Sequence, residues 1–353
     1  MSQQSQPPGQ LKGFESLSPG THKAPSGSIL SFSHTPPSRH KPGAPILVLL
    51  HGWPQTRYIW RYAVPALSKR GYTLFVPDLP GYGYSTMSTV SISDLGAQSE
   101  HDRVSVGFTV LSVVRAVYGN SKSSALTEDE ELQVVMIGHD RGGRVTQRLV
   151  TSSSPSPSSL PVPQSLKIRI LGAVLLDIVP YSAQWSAHAN PRASTAYWHW
   201  SFLPSAFSVP MVQAYGGGRF CSELVVSAAG SNEAGRKSLY ADGAVEHYAA
   251  CYEREEVIRG AAADYSAGAA EDWDAQQEDI KRGRKTQVPV VVLYSERLGK
   301  MHGDVEAIWR KWANPYMQLD VHAIGNGVGH YLPEEAPEET NQHIMKFLER
   351  LGL

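Results

Sequence analysis

GHDRGGR, residues 138–144, follows directly on the apolar run Val134-Val135-Met136-Ile137. A continuous run of that kind reads as a strand covered on both faces. The glycines then let the chain turn sharply, so that strand and outgoing helix pass close together. The stretch 141–150 reads as that helix. One carboxylate, Asp140, therefore sits at a strand-to-helix corner, with Arg141 beside it and Arg144 one helical turn on. The plainer reading makes Asp140 a helix N-cap. The pattern around it argues for more.

The same apolar signature recurs along the chain. ILSFSH (29–34), APILVLLHG (44–52), YTLFVPD (72–78), KIRILGAVLLDIVP (167–180), VPVVVLY (288–294) and MQLDVHAI (317–324) read as strands. Helical stretches lie at 58–69, 99–118, 303–312 and 336–351. Strands alternating with helices predict an α/β fold with a mostly parallel central sheet flanked by helices. The interval 181–285 breaks the rhythm with aromatics and Ala/Glu-rich helical runs such as GAVEHYAACYEREEVIRG. It reads as an inserted helical cap over the carboxyl end of the sheet. Residues 1–25 read as a flexible tail, and 26–180 with 286–353 as the core. Two polar surface insertions, 121–131 and the Ser/Pro-rich 151–165, complete the division.

Composition narrows the function classes. Formal net charge is −1 over 353 residues, which gives nothing to draw the chain to nucleic acid or an anionic membrane. The two cysteines, Cys221 and Cys251, have neither metal-site spacing nor a disulfide framework. The N-terminus MSQQSQPPGQ carries no signal-peptide core, and no apolar run approaches a bilayer span. The expectation is a cytoplasmic protein acting on a small molecule, without cofactor or metal, with a homodimer as one open assembly.

The corner at Asp140 has the form of a nucleophile elbow. A carboxylate, ionised at neutral pH, attacks without a base to activate it. The helix N-terminus and the two arginines favour its anionic form. Such a nucleophile suits displacement at an sp3 carbon, giving an alkyl ester on the protein. HGWPQT (51–56) follows the first long strand, and the N–H groups of Trp53 and Arg141 are candidate oxyanion donors. Asp177 ends the strand in LLDIVP, and His330 follows the last strand in VGHYLPEE. An imidazole oriented by Asp177 suits a base that hydrolyses the ester. Glu296, in YSERLGK (294–300), is the alternative acid.

Together GHDRGGR, HGWPQT, PDLPGYGYS (77–85), LLDIVP and GHYLPEEAPEET (329–340) resemble the haloacetate (fluoroacetate) dehalogenase branch of the α/β-hydrolase fold. Epoxide hydrolases form the neighbouring branch. The resemblance covers roughly residues 13–351 and implies Asp140 as nucleophile, His330 as base and Asp177 as acid. It further implies that Arg141 and Arg144 bind a substrate carboxylate. In the cap, His199 and Trp200 of YWHWSFL (197–203) and Tyr265 of ADYSA (263–267) resemble the family's halide-binding donors. Trp53 departs from the Phe usual in this branch.

Three functions follow as expectations. The first is a haloacetate dehalogenase-like reaction, haloacetate and water giving glycolate and halide. The second is an epoxide hydrolase, in which Tyr265 with Tyr197 would protonate the epoxide oxygen. The third is a non-catalytic ligand receptor on the same fold, against which the intact nucleophile, base and acid argue. Arg144 also has a plainer reading, pairing with Asp140 at i,i+4.

Overall fold

The computed structural model describes residues 10–87, 101–119, 130–154 and 160–353. Its strands are β1 (Ser18–Lys23), β2 (Ile29–His34), β3 (Ile46–Leu50), β4 (Thr73–Pro77), β5 (Leu132–His139), β6 (Thr151–Ser152), β7 (Ile168–Leu176), β8 (Lys285–Thr286), β9 (Val290–Ser295) and β10 (Leu319–Ile324). Eight of them form one sheet in the order β1-β2-β4-β3-β5-β7-β9-β10. From β4 to β10 all neighbours are parallel, whereas β1 and β2 join antiparallel. The β-branched and Leu-rich runs become the central strands because both faces are covered: every residue of β3 and β4 is buried.

Helices supply that cover. α1 (Ala63–Lys69), α2 (Arg103–Gly119) and α3 (Arg141–Leu149) precede the insertion. Nine helices, from α4 (Tyr181–Ala187) to α12 (Glu271–Lys281), run between β7 and β8. α13 (Glu296–His302), α14 (Val305–Arg310), α15 (Leu332–Glu335) and α16 (Pro337–Arg350) close the chain. α16 shows why such segments bind the sheet. Thr340, Ile344, Phe347 and Leu348 recur at helical spacing and are buried, while its charged residues face outward. Gly172 of β7 has no Cβ, and one built there would lie 2.8 Å from the Phe347 ring. That gap lets the ring seat fully, a burial worth roughly 1.5–3 kcal/mol.

The helical segment is tied to the core by buried ions. Arg103 on α2 pairs with Asp264 and Asp272, and Arg141 on α3 pairs with the same Asp264. The carboxyl ends of β3, β5, β7 and β9 all open toward one edge, the position where open α/β sheets place ligands.

Two sequence expectations change. The 1–25 tail is too long: β1 pairs with β2, and Phe14 and Leu17 are buried before it. Short polar residues hid a strand whose partner supplies the apolar face. The insertion read at 151–165 carries structure at both ends: Thr151 and Ser152 pair antiparallel with β8, and Gln164–Leu166 form a 3-10 turn. Residues 155–159 within it, and 120–129 of the expected 121–131 insertion, lie outside the described residues. Among the described residues, no helix is long and apolar enough to cross a membrane.

Candidate active site

β5 ends at His139, and Asp140 takes φ 46° and ψ −113°, a conformation that L residues rarely adopt. Its side chain caps nothing in α3. The N-cap reading of Asp140 is therefore set aside. The turn closes because Gly138 has no side chain: a Cβ there would overlap the Gly142 carbonyl. Gly52 likewise leaves room for Asp140, whose Cβ a side chain would strike.

The HGWP turn presents one donor to that carboxylate. Trp53 N–H donates to Asp140 Oδ2 at 2.9 Å. His51 holds the turn: its Nε2 accepts from Leu79 N–H, which leaves Nδ1 to carry the proton and donate to the Gly52 carbonyl. Of the two backbone donors expected at this position, Trp53 is the one in contact. Burial pushes the Asp140 carboxyl up, but His330, His139, Arg141 and Arg144 outweigh it and hold it at about 2. Asp140 is thus an anion at any neutral pH.

Asp177 also has positive φ, 52°, where β7 ends. Its Oδ1 accepts from Ser295 N–H at 2.6 Å, and its Oδ2 lies 2.6 Å from His330 Nδ1. Burial lowers the His330 pKa, yet the hydrogen bond and charge of Asp177, with the charge of Asp140, raise it above the ordinary histidine value. Glu335 holds the His330 loop by accepting N–H groups from Gly230, Gly329 and Tyr331. Glu296, the alternative acid, is exposed at the start of α13 and pairs with Lys300 at 4.0 Å. Asp177 takes the position beside the imidazole instead.

These groups surround a cavity of about 90 Å3, lined by Trp53, Asp140, Arg144, Asp177, His330 and the cap residues Tyr197, His199, Trp200 and Tyr265, among others. His199 stacks on Trp53 at 5.0 Å between ring centroids. Burial pushes its imidazole down to about 3, so it is neutral and offers one N–H. Burial raises the Tyr265 phenol well above its ordinary value, which keeps its O–H as a donor. Tyr197 O–H meets His302 Nε2 at 3.1 Å.

The two arginines sit in different surroundings. Arg141 Nε and Nη2 donate to the Asp264 carboxylate at 3.0 and 2.7 Å, and Nη2 also meets the Asp264 carbonyl at 2.9 Å. Its guanidinium lies under the Tyr265 ring, 4.2 Å from the centroid, and it is not among the cavity-lining residues. Asp264 thus takes Nε and Nη2 of Arg141, while Nη1 is buried without a partner among the described residues and the guanidinium charge still acts on Asp140. Arg144 does line the cavity, donating Nη1 to the Val179 carbonyl at 2.9 Å. It forms no ion pair with Asp140 or any other carboxylate among the described residues, so the i,i+4 reading also falls.

A model of the alpha/beta hydrolase family matches residues 47–343. The chain belongs to that family. Among similar proteins of this alpha/beta hydrolase, fluoroacetate dehalogenase of Burkholderia sp is 28% identical over 315 residues, covering 86% of this chain and 87% of that protein. Soluble epoxide hydrolase of Corynebacterium sp. (strain C12) is 24% identical over 320 residues, covering 85% and 89%. A solved structure from Pseudomonas aeruginosa, proposed to be an epoxide hydrolase, superposes with a TM-score of 0.74 at 26% identity, covering 96% of this chain and 97% of that one. The hydrolase assignment is secure at the family level, and its relatives carry both chemistries.

Four residues of this alpha/beta hydrolase site escaped the sequence reading. Asp264 directly precedes Tyr265 and was hidden in an alanine-rich helix. Glu335 was read only as part of a motif. His302 and Arg297 follow β9, where the sequence pattern points only to an acid, Glu296. Arg297 lines the cavity, with Nη1 on the Ser227 carbonyl at 3.0 Å.

Proposed function

We propose that this hydrolase cleaves small 2-halocarboxylates through a covalent ester on Asp140, haloacetate and water giving glycolate and halide. The observation that carries the reading is the shared cavity of Asp140 and Arg144: an anionic nucleophile beside a buried guanidinium with no carboxylate of its own. A cavity of about 90 Å3 suits a substrate of that size, since each water-sized group occupies roughly 10–15 Å3 by this measure.

In the first step Asp140 Oδ1, which accepts no hydrogen bond among the described residues, attacks the halogen-bearing carbon. The new C–O bond forms as the C–X bond breaks, and the halide leaves with the electron pair. Neutral His199, the Trp200 indole and the Tyr265 O–H are the donors for that halide. In the second step His330 takes a proton from water as the hydroxide adds to the ester carbonyl. Asp177 stabilises the imidazolium, and Trp53 N–H stabilises the oxyanion. Collapse expels the alkoxide, which is protonated to glycolate, and one proton is released net. The helices of 181–281 act as the cap that excludes water around the first step.

The second reading is epoxide hydrolysis, favoured by two phenols, Tyr197 and Tyr265, lining the same cavity. Each offers a proton to an opening epoxide. Assaying fluoroacetate, chloroacetate and styrene oxide side by side separates the two. The haloacid reading expects stoichiometric halide release with both acids and little diol. Diol formation faster by orders of magnitude transfers the assignment to the epoxide.

A further inference from the structure

We propose that Gln184, on α4, is a substrate-binding residue whose amide N–H group donates to the carboxylate of the halocarboxylate, alongside Arg144. This rests on the halocarboxylate reading above and assigns a residue that the reading does not use.

Gln184 is a buried polar side chain that does no bonding for the fold. It is 2% exposed, yet it lines the same cavity as Asp140 and Arg144. Its Nε2 is buried without a hydrogen-bond partner among the described residues. Its bond within the helix, N–H to the Pro180 carbonyl at 2.9 Å, uses only the backbone. Other buried glutamines place the same atom on an acceptor. Gln55 donates to Glu334, Gln276 to Gln147 Oε1 at 3.4 Å, and Gln287 to the Ser152 carbonyl at 2.8 Å. An unsatisfied buried amide costs stability, which an apolar side chain of the same shape would not. A ligand that supplies the missing acceptor gives the amide its reason to be there.

Position indicates which part of the substrate that is. Gln184 follows Tyr181 by three residues, so both project from one face of α4. The Tyr181 ring lies 4.5 Å from the Arg144 guanidinium carbon, and Trp200 flanks the same group at 4.6 Å. The face of α4 that carries Gln184 is thus the face packed on Arg144. A carboxylate held there has about four acceptor positions and no donor. It therefore selects the N–H end of the amide over its oxygen. Arg144 supplies charge, and Gln184 a neutral donor for a further position.

The test measures binding calorimetrically in an Asp140→Asn background, so that no turnover intervenes, and the denaturant midpoint without ligand. The probes are fluoroacetate and acetate, which keeps the carboxylate and lacks the halogen. Gln184→Met, similar in length and without the amide, is expected to weaken both probes about fivefold or more. The midpoint should hold or rise, because an unsatisfied buried amide has been removed. Gln184→Leu should do the same, so that one variant failing to fold leaves the other to decide. Fluoroacetate affinity within twofold of the parent overturns the assignment and leaves the halocarboxylate reading intact. A loss for fluoroacetate alone overturns it by moving Gln184 to the halogen end. Weaker binding with a lowered midpoint overturns it by showing a structural role. If the Asp140→Asn parent does not bind fluoroacetate, the halocarboxylate reading fails and this assignment fails with it.

Discussion

His330 and Asp177 lie 153 residues apart in the chain, yet Nδ1 of one stands 2.6 Å from Oδ2 of the other. The contact fixes which imidazole nitrogen carries the proton and turns Nε2 away from Asp177, free to act as a base. It also sets the pH at which that base is available.

The pH dependence follows in sign. His330 accepts a proton only when neutral; against the lowering effect of burial, its pKa is raised in the free protein by Asp177 and Asp140, and in the ester, where Asp140 carries no charge, Asp177 is the partner that still raises it. Turnover is expected to rise with pH along a single limb set by His330. Asp140, at about 2, adds no limb in the working range. Asp177→Asn removes the raising partner, so the limb moves to lower pH and kcat falls on the order of 10²–10⁴-fold. A kcat profile between pH 4 and 9 for both proteins checks this. An unmoved limb contradicts the pairing.

Leaving-group assistance predicts a substrate-dependent loss. Fluoride departs poorly and needs hydrogen bonds, whereas bromide leaves readily. Tyr265→Phe removes one donor from the cavity wall and is expected to slow fluoroacetate about five- to tenfold, at roughly 1–1.5 kcal/mol of lost transition-state stabilisation. Bromoacetate should change by less than about threefold. Halide release under single-turnover conditions measures both, and equal losses remove Tyr265 from the halide site.

The Arg141–Asp264 pair carries a stability prediction. Asp264 also accepts from Arg103 and from Tyr82 O–H, all in the buried seam between α2, α3 and the helical insertion. Asp264→Asn leaves two arginines without one of their carboxylates and is expected to cost about 3–5 kcal/mol. Denaturant unfolding reads this directly. A change under about 1 kcal/mol shows that the arginines find other partners.

Much of this site was legible because its residues stand at strand ends. A buried parallel strand is a continuous apolar run, so Asp140, Asp177 and the HGWP turn announce themselves where such a run stops. His330 was placed by the same logic, after the last strand. What stayed hidden depends on tertiary pairing. Arg141 has the same local sequence context whether it faces a cavity or Asp264, and only the position of a helix more than a hundred residues away decides. β1 was missed for a related reason: Ser18–Lys23 is polar and becomes a strand only by pairing with β2.

The central claim is a covalent ester on Asp140 that His330 clears. It is tested most directly by mixing His330→Gln protein with chloroacetate and measuring chloride and peptide mass together. Asp140 attacks without proton transfer, so one equivalent of chloride per protein is expected, after which turnover stops. The peptide containing Asp140 should gain the mass of the carboxymethyl group. Continued chloride release with no mass on that peptide would contradict the account, since water would then be attacking the substrate carbon itself.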